Sequence, residues 1–235
     1  MLDAILFDLD GTLLPMDTEG FIKAYLGLIA KTAMKWGYKN PEETVGALWK
    51  GVVAMIKNNG ERANDEAFWE AFSKTLGRDC TEDIPKFDKF YETEFRELSA
   101  LVHPTTLAKE AVEEARKKAK HVILASNPVF PLVAAKTRLG WAGVSPDSFD
   151  WITNYSNSTA CKPNPWYYKE ILERFDINPE RALMVGNDVG EDYLASKEVG
   201  VSSFIIKDYL INKNDDEINC PNGTFADMVE YLKSL

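Results

Sequence analysis

From residue 104 onward, short apolar runs alternate with stretches of helical periodicity. The helix-like stretch "TLAKEAVEEARKKA" precedes the apolar run "HVILA", "ALMVG" precedes "EDYLASKEVG", and "VSSFIIK" precedes "TFADMVEYLKSL". Short apolar strands separated by helices are typical of a parallel sheet covered by helices on both faces. The apolar run Ala4–Phe7 predicts one more strand of this sheet. The pattern therefore predicts an α/β fold with a doubly wound parallel sheet.

A helical segment interrupts this alternation after the first strand. Residues from about 16 to 100 carry apolar side chains at helical spacing and contain no convincing strand. One helix start is marked by an N-cap residue, a first-turn proline and an acidic first turn in Asn40, Pro41, Glu42 and Glu43. We interpret the aromatic residues of this segment as the core of a helix bundle. The predicted organisation is a core of residues 1–15 and 100–235, with a helical cap of residues 16–99 inserted into it.

Charge and hydropathy exclude several classes of partner. The chain of 235 residues has a formal net charge of -10 at pH 7. Nucleic acids and anionic membranes are bound by basic surfaces, so we predict neither as a partner. No apolar run reaches the roughly 18 residues of a membrane-spanning helix. A small phosphorylated substrate is compatible with the acidic balance, because a few local cations can bind it.

The first residues and the cysteines predict a cytoplasmic location. The sequence starts "MLDAILFDLDGT", lacks a basic segment and reaches an acid at Asp3, which is unlike a signal peptide. The three cysteines Cys80, Cys161 and Cys220 are scattered and lack CxxC spacing. This argues against a disulfide framework or a zinc site and favours a reducing compartment.

Polar residues follow four of the predicted apolar runs. They are Asp8 and Asp10 after the first strand, Ser126 and Asn127 after "HVILA", Lys162 in the loop between the possible strand "DWITN" and a helix, and Asp188 after "ALMV". The carboxyl ends of parallel strands meet at one edge of a sheet, which is where ligands bind. Oxygen ligands without histidine or thiol fit Mg²⁺, whereas hydroxyl and lysine groups fit a phosphate. The sequence therefore predicts a site for phosphoryl transfer.

The motif around the two aspartates resembles that of a known family. "FDLDGTL" is similar to the DxDGT signature of haloacid dehalogenase-like (HAD) hydrolases. The family's other three motifs follow in the right order, as Ser126 in "ILASN", Lys162 in "ACKPNP" and the acidic loop "VGNDVGED". The helical segment resembles the cap that this family carries between its first and second motifs. The resemblance implies a Rossmann-like core.

The resemblance also implies a role for each site residue. Asp8 would be the nucleophile that forms an aspartyl phosphate, and Asp10 would be the acid and base. Ser126, Asn127 and Lys162 would bind the phosphate oxygens. Mg²⁺ would be bound by Asp8, by the backbone carbonyl of Asp10 and by the fourth motif.

The fourth motif departs from the commonest family form, in which Gly-Asp begins the loop. Here Gly186 is followed by Asn187 and then by Asp188. Either Asp188 supplies the metal-binding carboxylate, or Asn187 ligates as a neutral oxygen while Asp192 acts through water. We favour Asp188.

The predicted function is that of a Mg²⁺-dependent phosphatase acting on a small phosphorylated metabolite, as a monomer or homodimer. A sugar-phosphate mutase on the same scaffold is an alternative, because the same motifs could serve if the product rebinds before water attacks. A phosphorylation-switched binding module is disfavoured, since receiver-type modules carry their aspartate after the third strand and have no inserted bundle. The presence of Asp10 argues against a dehalogenase, because that branch lacks the second aspartate.

Overall fold

The sheet at the centre of the molecule has six parallel strands. The computed structural model describes residues 1–235, with the strands in the order β3-β2-β1-β4-β5-β6. Their bounds are Leu2–Phe7 (β1), Ala119–Leu124 (β2), Trp151–Ile152 (β3), Ala182–Gly186 (β4), Ser202–Ile206 (β5) and Asn222–Gly223 (β6). Every neighbouring pair is parallel. The predicted α/β fold with a parallel sheet is confirmed.

Strand β1 is buried on both faces, and its side chains alternate between two apolar clusters. Ile5 and Phe7 belong to a cluster of 46 buried residues, whereas Ala4 and Leu6 belong to a separate cluster of 14. Successive side chains of a strand point to opposite faces, so a strand covered on both sides is apolar at every position. This explains why residues 4–7 form a continuous apolar run.

Helices cover both faces of the sheet. The helices of the alternating region are α5 (Thr106–Lys118), α6 (Leu132–Trp141), α7 (Pro165–Arg174), α8 (Ala195–Glu198) and α9 (Phe225–Ser234). Val112 of α5 and Met228 of α9 lie in the larger cluster with Ile5, and Tyr168 of α7 and Ala195 of α8 lie in the smaller one. The sheet is therefore doubly wound, as predicted.

Residues between β1 and α5 form helices only. They are α1 (Thr18–Lys35), α2 (Pro41–Ile56), α3 (Asn64–Leu76) and α4 (Ile84–Glu92), followed by 3₁₀ turns over Glu94–Leu101. The Asn40 side chain accepts hydrogen bonds from the backbone N–H groups of Glu42 and Glu43, which confirms the predicted start of α2. Phe87, Phe90, Tyr91 and Phe95 are spaced as on one helix. In the structure α4 ends at Glu92, and Phe95 lies in the 3₁₀ segment.

The helical segment packs directly onto the sheet-covering helices. Phe95 stacks on Trp141 of α6 with ring centroids 5.4 Å apart, and Phe21 of α1 lies edge-on to both rings. Phe130, in the loop before α6, contacts Tyr25 with a centroid distance of 5.3 Å. These side chains belong to one apolar cluster that continues from the sheet into the helical segment.

Two further differences from the sequence prediction concern the last third of the chain. After β4 the predicted single helix is replaced by a π-helical stretch, Val189–Leu194, and by the short helix α8. The two-residue strand β6 was not predicted, because "NG" carries no apolar pattern. None of the helices combines the length and apolar character needed to cross a bilayer.

Candidate active site

The carboxyl ends of β1, β2 and β4 open into one cavity of about 220 Å³. Asp8 and Asp10 come directly after β1, Ser126 lies just beyond β2, and Asp188 follows β4. The cavity is lined by Asp8, Asp10, Thr18, Phe21, Ile22, Ser126, Asn127, Val129, Phe130, Asn187, Asp188, Glu191, Asp192, Ile211 and Lys213. Lys162 does not line it but reaches Asp8 from behind. The structure thus brings all the predicted site residues together at one edge of the sheet.

A tight turn at Gly11 lets the chain leave β1 beside the fourth motif. Gly11 has a φ of 80°, in the left-handed region that favours glycine. A Cβ atom at this position would also collide with the amide of Asn187. The next residue, Thr12, is buried and donates a hydrogen bond of 3.0 Å to Asn187 Oδ1. Gly11 and Thr12 of the first motif therefore hold the end of β1 close to the loop that follows β4.

Lys162 is a buried cation shared by two carboxylates. Its Nζ donates to Asp192 Oδ1 at 2.6 Å and to Asp8 Oδ1 at 3.1 Å, and the lysine side chain is 1% exposed. Burial opposes the charge on Lys162, yet Asp192 and Asp8 raise its pKa well above the ordinary value. Burial raises the pKa of Asp8 to about 8, with Asp192 and Asp10 acting in the same direction and Lys162 against them. One ammonium thus serves two acids, and without a further cation Asp8 keeps its proton to a higher pH than an ordinary aspartate does.

Asp10 has a cationic partner of its own. The buried Arg138 on α6 donates from Nη1 to Asp10 Oδ2. The other carboxylate oxygen of Asp10, Oδ1, is buried and has no hydrogen-bond partner in the chain. Burial raises the pKa of Asp10, and Arg138 and Lys162 counter that effect.

The fourth-motif loop is built around Asp192. Asp192 Oδ2 accepts hydrogen bonds of 3.0 Å from the backbone N–H groups of Asn187 and Asp188. A Cβ atom at Gly186 would collide with this carboxylate, so the position needs glycine. Both oxygens of Asp192 are therefore used inside the protein, one by the loop and one by Lys162.

Asn187 and Asp188 differ in how much of each side chain is free. Asn187 accepts from Thr12 through Oδ1, and its Nδ2 donates to Tyr209 O at 2.7 Å. Asp188 accepts one hydrogen bond from Glu191 N at Oδ1, and its Oδ2 is 3.8 Å from Lys213 Nζ. Of the two, only Asp188 has an oxygen with no hydrogen bond from the chain.

The second motif supplies a free hydroxyl and a constrained amide. Ser126 lines the cavity, and its backbone carbonyl is held by Thr153 Oγ1 at 2.7 Å. Asn127 Nδ2 donates to Glu191 Oε2 at 2.9 Å and to Lys162 O at 3.3 Å, so its amide N–H groups are used within the protein. The backbone N–H of Asn127 donates to no backbone carbonyl. Asn127 can therefore reach a phosphate through its backbone N–H rather than its side chain.

The side chains around the cavity fit a divalent cation with oxygen ligands. Five acids line the cavity, and only two buried cations lie behind them. The acids are Asp8, Asp10, Asp188, Glu191 and Asp192, and the cations are Lys162 and Arg138. Burial and neighbouring acids raise the pKa of Glu191 to about 7, and burial raises that of Asp188. No three acidic, histidine or cysteine side chains converge on a single point. Mg²⁺ suits this arrangement, because it is usually bound by one or two carboxylates, water and substrate phosphate.

A wider groove of about 790 Å³ adjoins the cavity. The groove and the cavity share Thr18, Ile22, Ile211 and Lys213. Trp49 of α2, which is 45% exposed, lines the groove together with Tyr209 and Leu210 of the loop that follows β5. The groove is therefore lined both by the helical segment and by this loop.

Asn64, at the first position of α3, ties the helical segment to the loop that carries Lys162. The Asn64 side chain is fully buried and donates to Ala160 O at 3.1 Å and to Cys161 Sγ at 3.4 Å. Its backbone N–H donates to Ser158 O at 2.9 Å. These hydrogen bonds hold the start of α3 against Cys161, the residue that precedes Lys162.

Sequence reasoning missed two contributors to the site. Arg138 lies on the buried face of α6 with Ala134, Ala135 and Leu139, and that periodicity was a usable signal for a buried arginine. The loop after β5 carries no motif, yet Ile211 exchanges backbone hydrogen bonds of 2.9 Å with Asn187 and Val189. Its position could not be predicted, because it depends on the pairing of two separate loops.

Comparisons with known proteins agree with the motifs. A family model described as haloacid dehalogenase-like hydrolase matches residues 2–200. Glyceraldehyde 3-phosphate phosphatase of Methanothermobacter thermautotrophicus is 24% identical over 239 residues, covering 100% of both chains. Ribulose-1,5-bisphosphate 5-phosphatase of Halopiger xanaduensis is 25% identical over 87% of this chain and 84% of its own length. The crystal structure of a HAD phosphatase from Thermococcus onnurineus superimposes with a TM-score of 0.58 at 20% identity, covering 98% of each chain.

Proposed function

Because the chain belongs to the haloacid dehalogenase-like hydrolase family, we propose that its cavity hydrolyses phosphoric monoesters of small metabolites. The observation that carries the proposal is the meeting of two aspartates, a serine, a lysine and a fourth-motif aspartate around one cavity of about 220 Å³. A phosphatase needs a nucleophile, a proton donor and groups that bind phosphate oxygens. The chain is a phosphoric monoester hydrolase in which residues 16–99 act as the cap.

Asp8 and Asp10 divide the chemistry in two steps. In the first, an Asp8 oxygen attacks phosphorus, the bond from phosphorus to the leaving oxygen breaks, and Asp10 gives its proton to that oxygen. In the second, Asp10 takes a proton from water, which attacks the aspartyl phosphate and frees inorganic phosphate and the Asp8 carboxylate. Asp10 is suited to both steps because its Oδ1 has no partner in the chain.

Groups beside Asp8 would bind the phosphate oxygens, and a cation behind it would offset their charge. Lys162 Nζ, 3.1 Å from Asp8 Oδ1, supplies a fixed positive charge. Ser126 Oγ and the backbone N–H of Asn127 supply neutral donors. Donors that are already held in place stabilise developing charge without reorganising during the reaction.

Asp8, the backbone carbonyl of Asp10 and Asp188 would hold Mg²⁺, which supplies positive charge that offsets repulsion between the nucleophilic carboxylate and the phosphate. Asp188 is preferred to Asn187 because the Asn187 amide is used by Thr12 and Tyr209. Asp192 is committed to Lys162 and to the backbone of its own loop.

The organic part of the substrate would lie in the groove of about 790 Å³ next to the cavity. Two relatives are named as phosphatases of glyceraldehyde 3-phosphate and of ribulose 1,5-bisphosphate, which supports a small sugar phosphate as the substrate class. Purified protein with Mg²⁺ should release inorganic phosphate from one or more members of a sugar-phosphate panel that includes these two compounds. An absence of release from the whole panel and from p-nitrophenyl phosphate would contradict the proposal.

The metal assignment predicts a difference between two neighbouring variants. Mg²⁺ at about 100 times its Kd should stabilise the wild-type fold by about 2.7 kcal/mol, seen as a rise in unfolding temperature. Asp188→Asn should lose most of this rise. Asn187→Ala should unfold at a lower temperature without metal, because Thr12 and Tyr209 lose their partner, yet should keep the Mg²⁺-induced rise. The opposite order would assign the ligand to Asn187.

A further inference from the structure

Arg138 occupies a position that stability alone does not explain. Its side chain is 1% exposed and lies on the apolar face of α6. A buried ion pair contributes little to stability, because desolvation offsets the attraction, and apolar replacements of similar volume are often neutral. Asp10 is the only carboxylate within ion-pairing distance of Arg138.

The guanidinium group of Arg138 is itself held in place. Its Nε donates to Ala134 O, one helical turn earlier, at 3.3 Å. Its Cζ lies 4.5 Å from the centroid of the Phe130 ring. With Nη1 bound to Asp10, the group is fixed by its own helix, by an aromatic face and by the aspartate. A donor held in this way can orient the carboxylate that it binds.

The ion pair leaves the two oxygens of Asp10 in different situations. Oδ2 accepts from Arg138, while Oδ1 is buried without a partner in the chain, and the residue lines the cavity. We propose that Arg138 is a positioning residue, which holds Asp10 by Oδ2 so that Oδ1 faces the leaving oxygen of the substrate. The inference rests on the proposed function, in which Asp10 protonates that oxygen.

The test compares two aryl phosphates of similar shape. Phenyl phosphate needs a proton on its leaving oxygen, whereas the leaving group of p-nitrophenyl phosphate departs as an anion. The measured quantity is kcat/KM, which reports steps up to the loss of the leaving group. General acid catalysis is worth about 10²–10⁴ in rate, so Arg138→Met should lower kcat/KM for phenyl phosphate by about 10- to 100-fold. For p-nitrophenyl phosphate the loss should stay below about threefold.

Three further variants separate positioning from a general loss of structure. Arg138→Lys keeps a charge that can reach Asp10 and should recover part of the loss. Asp10→Asn removes the proposed acid, so adding Arg138→Met to it should change kcat/KM for phenyl phosphate by less than about threefold. Arg174→Met is the matched control, because Arg174 stacks on Trp151 at 4.3 Å and has no contact with the site, and it should leave both substrates unaffected. If Arg138→Met does not fold, Arg138→Gln is measured and read in the same way.

The results distinguish failure of the inference from failure of the proposed function. If Arg138→Met lowers kcat/KM equally for both substrates, and also does so in the Asp10→Asn background, the positioning role is overturned. The proposed phosphatase function is unaffected by that result. If Asp10→Asn itself loses no more activity on phenyl phosphate than on p-nitrophenyl phosphate, Asp10 is not the acid. In that case the proposed division of labour fails, and the inference about Arg138 fails with it.

Discussion

Asp8→Asn is expected to reduce phosphatase turnover to the background rate, a loss of the order of 10⁵-fold or more, as found when an enzyme loses its nucleophile. The amide has the shape of the carboxylate but cannot attack phosphorus, so no aspartyl phosphate forms. The fold should survive, because Lys162 keeps its shorter hydrogen bond to Asp192. Asp3→Asn is the matched control, because Asp3 lies on β1, the strand that ends just before Asp8, but pairs with Arg181 near the protein surface. Its turnover should equal that of the wild type.

Trapping the phosphoenzyme tests the covalent step directly. Acid quenching during turnover, followed by mass spectrometry, should locate a phosphate on a side chain of the protein. A single turnover in ¹⁸O-labelled water then shows which atom water attacks: label in the released phosphate indicates attack on phosphorus, and label in the Asp8 carboxylate indicates attack on its carbonyl carbon. A phosphate found on Asp8 supports the mechanism. Full turnover by Asp8→Asn would exclude Asp8 as the nucleophile.

Lys162→Met is expected to cost both activity and stability. Removing one partner of a buried pair typically destabilises a protein by about 3–5 kcal/mol, because the remaining charge is left uncompensated. Here two carboxylates, Asp8 and Asp192, would lose their shared ammonium. The free energy of unfolding, measured in urea, should fall by that amount. Lys169→Met, an exposed position on α7, is the control and should change it by less than about 0.5 kcal/mol.

The deficit of Lys162→Met should grow with pH. Burial already raises the pKa of Asp8 to about 8 in the wild type, and losing Lys162 raises it further. An acid whose pKa is higher in the folded than in the unfolded chain stabilises the fold at low pH, and this contribution is lost as pH rises through the folded-state value. Below about pH 8 both proteins lose the stabilisation from Asp8 in parallel as pH rises. Above pH 8 only the variant continues to lose it, because its Asp8 is still protonated. Without metal, the difference should be larger at pH 9 than at pH 7; a constant difference would contradict the charge explanation.

The parallel sheet, and the alternation of strands and helices along the chain, could be predicted from the sequence. Strands that are buried on both faces appear in a sequence as continuous apolar runs. Residues 4–7 and "ALMVG" are unambiguous in this sense. The two-residue strand β6 owes its conformation to a neighbour rather than to its own side chains, as Asn222 pairs with Ile205. The break between α4 and the following 3₁₀ turns likewise depends on Phe95 packing against Trp141, a contact between distant parts of the chain.

The site residues could be predicted where a residue type in its sequence position has one common explanation. Paired aspartates after an apolar strand require a ligand, so Asp8 and Asp10 stood out. Arg138 did not, because an arginine on a helix is usually exposed. The sequence left open whether Asn187 or Asp188 has a free oxygen, and hydrogen bonds to Thr12 and Tyr209 are what separate them.

The place of β1 in the sheet has a consequence for how the protein is made. β1 is the first of the six strands to be synthesised, yet its residues pair with β2 117 residues later, as Leu2 does with Ala119, and with β4 178 residues later, as Ala4 does with Ala182. Contacts so distant in sequence form slowly, and a growing chain cannot form them before both partners have emerged. The apolar residues 4–7 therefore stay unpaired while the helical segment is synthesised. A nascent chain that ends before β4 is expected to have no phosphatase activity, however well its helices have formed.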